Sequence, residues 1–183
     1  PRGRGVFALL GAVMLGLGVI LLMAYNWEAM HRYSKLAVLL GGFVLSHIAA
    51  FSLRRAPQMQ MAFHLLGTMI FGASVWLIAQ IYHLDRHYPD GFMFWAMAAL
   101  LMAWLLPSAA HGLLAVVLIC CWSLVEVMDF DSVHLEAVGL LLVGVLPLAY
   151  RLRSTLLLRL FLLALPLCFL ISLGQLDPDG VLF

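Results

Sequence analysis

The sequence predicts an all-α polytopic transmembrane bundle of about seven spans with a cytoplasmic N-terminus. Three observations lead there. Hydrophobic residues make up 65% of the 183 positions, charged residues only 10%, and mean hydropathy is +1.07. A soluble domain carries roughly 25% charged residues, so lipid must be the solvent for most of this chain. The apolar runs are long and continuous instead of alternating as barrel strands do, so helices satisfy the backbone polar groups inside the bilayer. Finally, the charged residues sort cleanly between the two sides that such a bundle would have.

A span needs about 20 mostly apolar residues. The runs fall at residues 5–25, 35–53, 59–82, 91–106, 109–126, 135–150 and 155–174. The first starts behind Arg2 and Arg4, lacks a small-residue cleavage site and leads into Asn26-Trp27-Glu28, so it reads as a true span and not a signal peptide. The second and third are joined through Arg54-Arg55-Ala56-Pro57, and the third and fourth through Tyr88-Pro89-Asp90-Gly91. The fourth is short and forms a tight hairpin with the fifth through Pro107-Ser108. Arg151 to Ser154 separates the sixth from the seventh, and Pro147 and Pro166 are expected to kink those two. We read residues 1–183 as a single transmembrane domain. The missing initial Met and the apolar Val181-Leu182-Phe183 end suggest a fragment of a longer chain.

Alternating the sides puts Arg2, Arg4, Arg54, Arg55, Arg151, Arg153 and Arg159 on one side with no acid. The other side receives Arg32, Lys35 and Arg86 with all nine carboxylates: Glu28, Asp85, Asp90, Glu126, Asp129, Asp131, Glu136, Asp177 and Asp179. A missed span would scramble this sorting. Only Lys and Arg fix orientation, and they place the first side in the cytoplasm. The opposite face is acidic and attracts cations. Small residues recur at packing intervals: Ala8, Ala12 and Gly16, then Gly67 and Gly72, then Gly139 and Gly144. Cys120, Cys121 and Cys168 all sit in apolar runs and read as small hydrophobes. No repeat argues for inverted transporter halves.

Two stretches are more specific than composition. One is Gly16-Leu-Gly18-Val-Ile-Leu-Leu-Met-Ala24-Tyr-Asn26-Trp27-Glu28. The other is Gly72-Ala-Ser-Val-Trp76-Leu-Ile-Ala-Gln80-Ile-Tyr82-His83, followed by Asp90-Gly91-Phe92 and Trp95. Together, over residues 5–110, they resemble the bacterial membrane family known as domain of unknown function 2157. The resemblance implies a multi-pass protein of the bacterial inner membrane with no established activity, and it carries over no catalytic residue. Relatives often begin with a short soluble helical segment, which this sequence does not show.

Both motifs finish at the acidic face, which makes Asn26, Trp27, Glu28, Trp76, Gln80, Tyr82 and His83 the candidate ligand-binding residues. Gly72, Trp76, Gln80 and His83 follow helical spacing along one stripe. Trp27 and Tyr82 also fit an ordinary aromatic belt, and Gln80 needs a buried hydrogen-bond partner, for which Asn26 or Glu28 would serve. His83, His87, His134 and Asp85 form a weak metal-ligand candidate set, with Asp129 and Asp131 nearby in sequence, but they lack a tight ligand spacing. Deeper in the chain, His47 and His64 stand nearly equidistant from the Arg54–Pro57 turn. Antiparallel helices would hold them at one depth, about 10 Å from the cytoplasmic end at 1.5 Å per residue. Such a pair either links two helices or relays protons. His111 is expected at the interface.

These features favour a membrane-embedded binding, sensing or interaction module. A transporter or channel for a cation, proton-linked or lipid-like substrate is the alternative, resting on the acidic mouth and on His47 and His64. A membrane enzyme acting on a lipid-linked substrate is the third reading, with Glu28, His83 and Glu126 qualifying by residue type alone. No cofactor and no nucleic-acid partner is expected. The expected partners are the lipid bilayer and other membrane or periplasmic proteins.

Overall fold

A computed structural model describes residues 2–25, 31–82, 87–130 and 134–174. All the regular structure among them is helical. The chain divides into two compact units, residues 1–86 and 87–183.

The first unit is three helices: α1 (Arg2–Tyr25), α2 (Arg32–Ser52) and α3 (Pro57–Tyr82). The middle helix in space is α3, which packs on both α1 and α2. Pro57 opens it, at a position where its missing N–H costs nothing and its fixed φ suits a helix start. The turn from α2 is closed by the Leu53 N–H to the carbonyls of Ala49 and Ala50, and by the Ala56 N–H to the Leu53 carbonyl. Lipid gives helices no hydrophobic reason to associate, so close backbone approach matters. Gly16 supplies it between α1 and α3: a Cβ there would stand 3.0 Å from Met69 Cβ. Gly67 supplies it between α3 and α2, facing Ser46 and His47.

The second unit holds α4 (Asp90–Leu105), α5 (Ala109–Phe130), α6 (Glu136–Leu140), a π-helical stretch Leu141–Val145, α7 (Leu146–Leu152) and α8 (Thr155–Gly174). The α6, π and α7 segments follow one another without a break and form a single rod over 136–152. Here α5 is the centre, in contact with α4, α8 and that rod. Ala96, Ala99 and Ala103 make a fully buried stripe on α4, an alanine version of the small-residue seam. Gly112 of α5 lies against Leu148 and Leu157. Ser108 caps α5, accepting the His111 N–H at 3.3 Å, and Ser154 caps α8, accepting the Leu157 N–H at 3.3 Å.

Among the described residues, seven helical rods lie over the seven apolar runs, most ends falling within three residues. The largest difference is at the fifth. Its apolar run ends at Glu126, but α5 continues to Phe130 because partners await the carboxylates that follow. By length and composition, α2, α5, α8 and residues 57–79 of α3 are each able to cross a membrane, and α4 is a shorter apolar helix. The protein is thus an all-helical membrane bundle.

Pro147 perturbs the sixth rod through a widened turn just before it. The ring removes the N–H that Val143 would have met, and the π stretch ends two residues upstream. Trp104 of α4 fastens this irregularity, its Nε1–H donating to the Gly144 carbonyl at 3.2 Å. Arg151 lies over the same indole, 5.2 Å from its centroid, and donates to the Trp104 carbonyl at 3.3 Å. Gly144 leaves room for Leu100 of α4, which a Cβ would strike. Arg153 closes α7 in the left-handed conformation (φ 48°), with the Ser154 N–H returning to the Ala149 carbonyl.

Candidate functional site

Each unit carries one polar constellation. In the first, helix geometry brings His47 of α2 and His64 of α3 together, Nδ1 to Nδ1 at 2.9 Å. One ring must donate and the other accept, so the neutral pair is in opposite tautomers at these atoms. Edge contacts hold both rings: Phe43 on His47 at 4.8 Å and Phe51 on His64 at 5.6 Å between centroids. Both Nε2 atoms are buried and have no hydrogen-bond partner among the described residues. Gly67 gives His47 its place, since a Cβ there would lie 2.6 Å from His47 Nε2.

The expected ligand residues of the first unit are less informative. Asn26, Trp27, Glu28, His83 and Asp85 lie outside the described residues, as does the side chain of Gln80. Trp76 is partly buried on α3, and Tyr82 is exposed at its last turn.

In the second unit the carboxylates collect at one end, where α4 begins, α5 ends and α6 begins. Glu126 is buried although it is the last turn but one of α5, with 9% of its surface exposed. Its Oε1 stands 2.7 Å from His87 Nε2, just ahead of α4. Asp90 is 4.0 Å from the same nitrogen. Phe130 packs on the His87 ring at 4.4 Å, and the Tyr88 hydroxyl donates to Asp129. These contacts let α5 run on past its apolar stretch. The described Arg residues of this unit, Arg151, Arg153 and Arg159, belong to the segment around the α7–α8 turn, at the opposite end of the rods.

His134 completes the group from the α5–α6 connection. Its ring meets Trp122 edge-on at 4.2 Å, its Nε2 is 3.6 Å from Glu136 Oε2, and its backbone carbonyl accepts from Ser172 Oγ of α8 at 3.0 Å. Its Nδ1 is buried without a partner among the described residues. Burial pushes the His134 pKa below the ordinary imidazole value, against the opposing pull of Glu136 and Glu126, while His87 adds to the lowering. The neutral ring is therefore the folded form. Because unfolding exposes a ring that protonates near the usual pKa of about 6.5, this contribution is complete above that pH and is lost as pH falls below it. The unfolding midpoint of wild type, followed from pH 8 to pH 5, should fall more steeply than that of His134→Leu. Parallel curves would contradict this.

Among the described residues no group of three or more His, Cys, Asp or Glu converges closely enough to hold a metal ion. His87 and His134 stand in the same cluster but are tied to Glu126 and Glu136 by separate contacts. His111, at the start of α5, is fully buried against its neighbours, with Nδ1 2.8 Å from Ser108 Oγ. Reading Glu126 as an enzyme candidate by type missed its burial and its pairing with His87, a residue 39 positions away. The one available signal was its position at the end of an apolar run that a helix could extend.

No curated protein and no solved structure matches the chain. The family model described as "Predicted membrane protein (DUF2157)" matches residues 2–112, which covers the first unit from its second residue on and the start of the second. With more than half its length matched, and with the helical bundle that such a match leads one to expect, the chain belongs to the DUF2157 family of membrane proteins.

Proposed function

We propose that this protein is a bacterial inner-membrane binding or sensing module, and that its ligand is a small cation taken up at the acidic end of the second unit. The observation that carries the reading is Glu126, a buried carboxylate held by His87 and accompanied by Asp90, Asp129 and Glu136. Four carboxylates with two imidazoles and no described Lys or Arg at that end leave a local excess of negative charge. Charges at close range reinforce one another more strongly where burial limits solvent screening. The lack of a converged chelating trio among the described residues favours a cation held by charge, in the manner of a hydrated or organic ion. The charge sorting of the sequence places this end on the periplasmic side.

A transporter remains the second reading because of one observation, the His47–His64 pair within α2 and α3. Ionisable side chains inside membrane helices mark proton and ion paths. The two readings separate in proteoliposomes. A binding module gives no flux of protons, Mg2+ or Ca2+ above that of empty vesicles. Flux that His64→Ala abolishes would overturn the binding reading in favour of transport.

A further inference from the structure

The rods of the second unit leave a gap that shares only Glu136 with the cation reading. Both α4 and the 136–152 rod lie against α5, and they meet at Leu100, Trp104 and Gly144. Towards the acidic end they part around a cavity of about 480 Å³, lined by Met93 and Met97 of α4, Trp122 of α5, and Glu136, Gly139 and Val143 of the rod. That volume is within the range of small-ligand pockets. Gly139 borders open space in it, since a Cβ there would meet nothing within 4 Å. The irregular π stretch begins two residues further on, and π segments of this kind are frequent at functional sites.

The lining is apolar except at one end. Met97 and Val143, on opposite edges, are 50% and 78% exposed, so the groove opens sideways between two membrane helices. What laps such an opening is lipid, and flexible methionines suit a chain of variable shape. Glu136 stands at the end of the groove, its side chain 72% exposed, on the same end of the unit as Asp90, Glu126 and Asp129. From Glu136 to Val143 the rod rises about 10 Å at 1.5 Å per residue. That span reaches from a headgroup at the helix end to the upper part of an acyl chain.

We propose that this groove is a lipid site that seats one acyl chain of a phospholipid bearing a primary ammonium headgroup, with the ammonium against the Glu136 carboxylate. Charge complementarity selects the headgroup. An anionic lipid would meet four carboxylates and no described basic residue at that end, whereas an ammonium gains a partner. Retention of the chain depends on Gly139 and Val143 and not on Glu126, so this proposal and the cation reading fail separately.

Native mass spectrometry of the purified protein, in detergent doped equally with phosphatidylethanolamine and phosphatidylglycerol of identical chains, tests it. Wild type should retain phosphatidylethanolamine by about fivefold over phosphatidylglycerol, as one favourable headgroup charge contact implies. Glu136→Gln should erase the preference. Gly139→Trp should fill the groove and cut retention of both lipids, and Leu163→Trp, on an exposed position of α8, should leave retention unchanged. Glu126→Gln should keep the lipid preference even where it abolishes cation binding. Equal retention by wild type, a preference for phosphatidylglycerol, or retention untouched by both Glu136→Gln and Gly139→Trp would overturn the proposal.

Discussion

Gly67→Ala is expected to destabilise the first unit by about 2–4 kcal/mol, read as the free energy of unfolding in a denaturing-detergent titration. The new methyl would fall 2.6 Å from both His47 Nε2 and Ser46 Oγ, well inside contact distance. Relief requires the His47 ring to move, yet Phe43 and His64 hold it from two sides. Displacing it lengthens the 2.9 Å Nδ1 contact and leaves the imidazole of His64 without its partner. Overpacking costs about 1–3 kcal/mol, and an interhelical hydrogen bond in a membrane adds about 1 kcal/mol. Gly41→Ala is the control: nothing lies within 4 Å there, and replacing a helical glycine gains up to about 1 kcal/mol. His47→Ala should lessen the effect, since it removes the ring struck and leaves only Ser46 Oγ in the way, so the double variant loses less than the two single losses together. Additive losses would show that Gly67 acts elsewhere.

Glu126→Ala is expected to cost about 1–3 kcal/mol, because it removes the partner of His87 from a largely buried position at the end of α5. His87 is itself about a third exposed, so water replaces part of what is lost, and the smaller figure is favoured. Glu126→Gln keeps the shape and an acceptor oxygen for His87 but removes the charge. It should therefore fold nearly as stably as wild type while losing affinity for cations. This split between a stability loss in alanine and a binding loss in glutamine separates a structural carboxylate from a binding one.

Much of the bundle was legible from the residues. Long apolar runs and the breakers Pro57, Pro89 and Pro107 set the rods, because lipid permits little besides continuous helix. The depth match of His47 and His64 needed only the helix rise and a short turn, and the structure puts the two rings in contact. Other features were invisible for physical reasons. The π stretch at Leu141–Val145 leaves no mark in hydropathy, although Pro147 showed that the rod could not stay regular. The extension of α5 to Phe130 was hidden because charge ended the apolar run, and only the partners His87 and Tyr88 make those last turns favourable. Glu126 looked like one outer-face acid among several, placed at the end of its span, since burial depends on which other chain segment covers it. The groove beside Gly139 depends on a divergence between two rods that no local pattern encodes.

The most direct measurement is the thermal midpoint of the detergent-purified protein titrated with Mg2+ or Ca2+ at low ionic strength, with wild type beside Glu126→Gln. A ligand that binds only the folded state adds about 2.7 kcal/mol of stability at a hundredfold excess over its dissociation constant. The account predicts a saturable rise in the wild-type midpoint with at least one of these cations, weakened by added salt and absent in Glu126→Gln. No rise with any of them, or an equal rise in the variant, would contradict it and leave Glu126 and His87 as a link between helices.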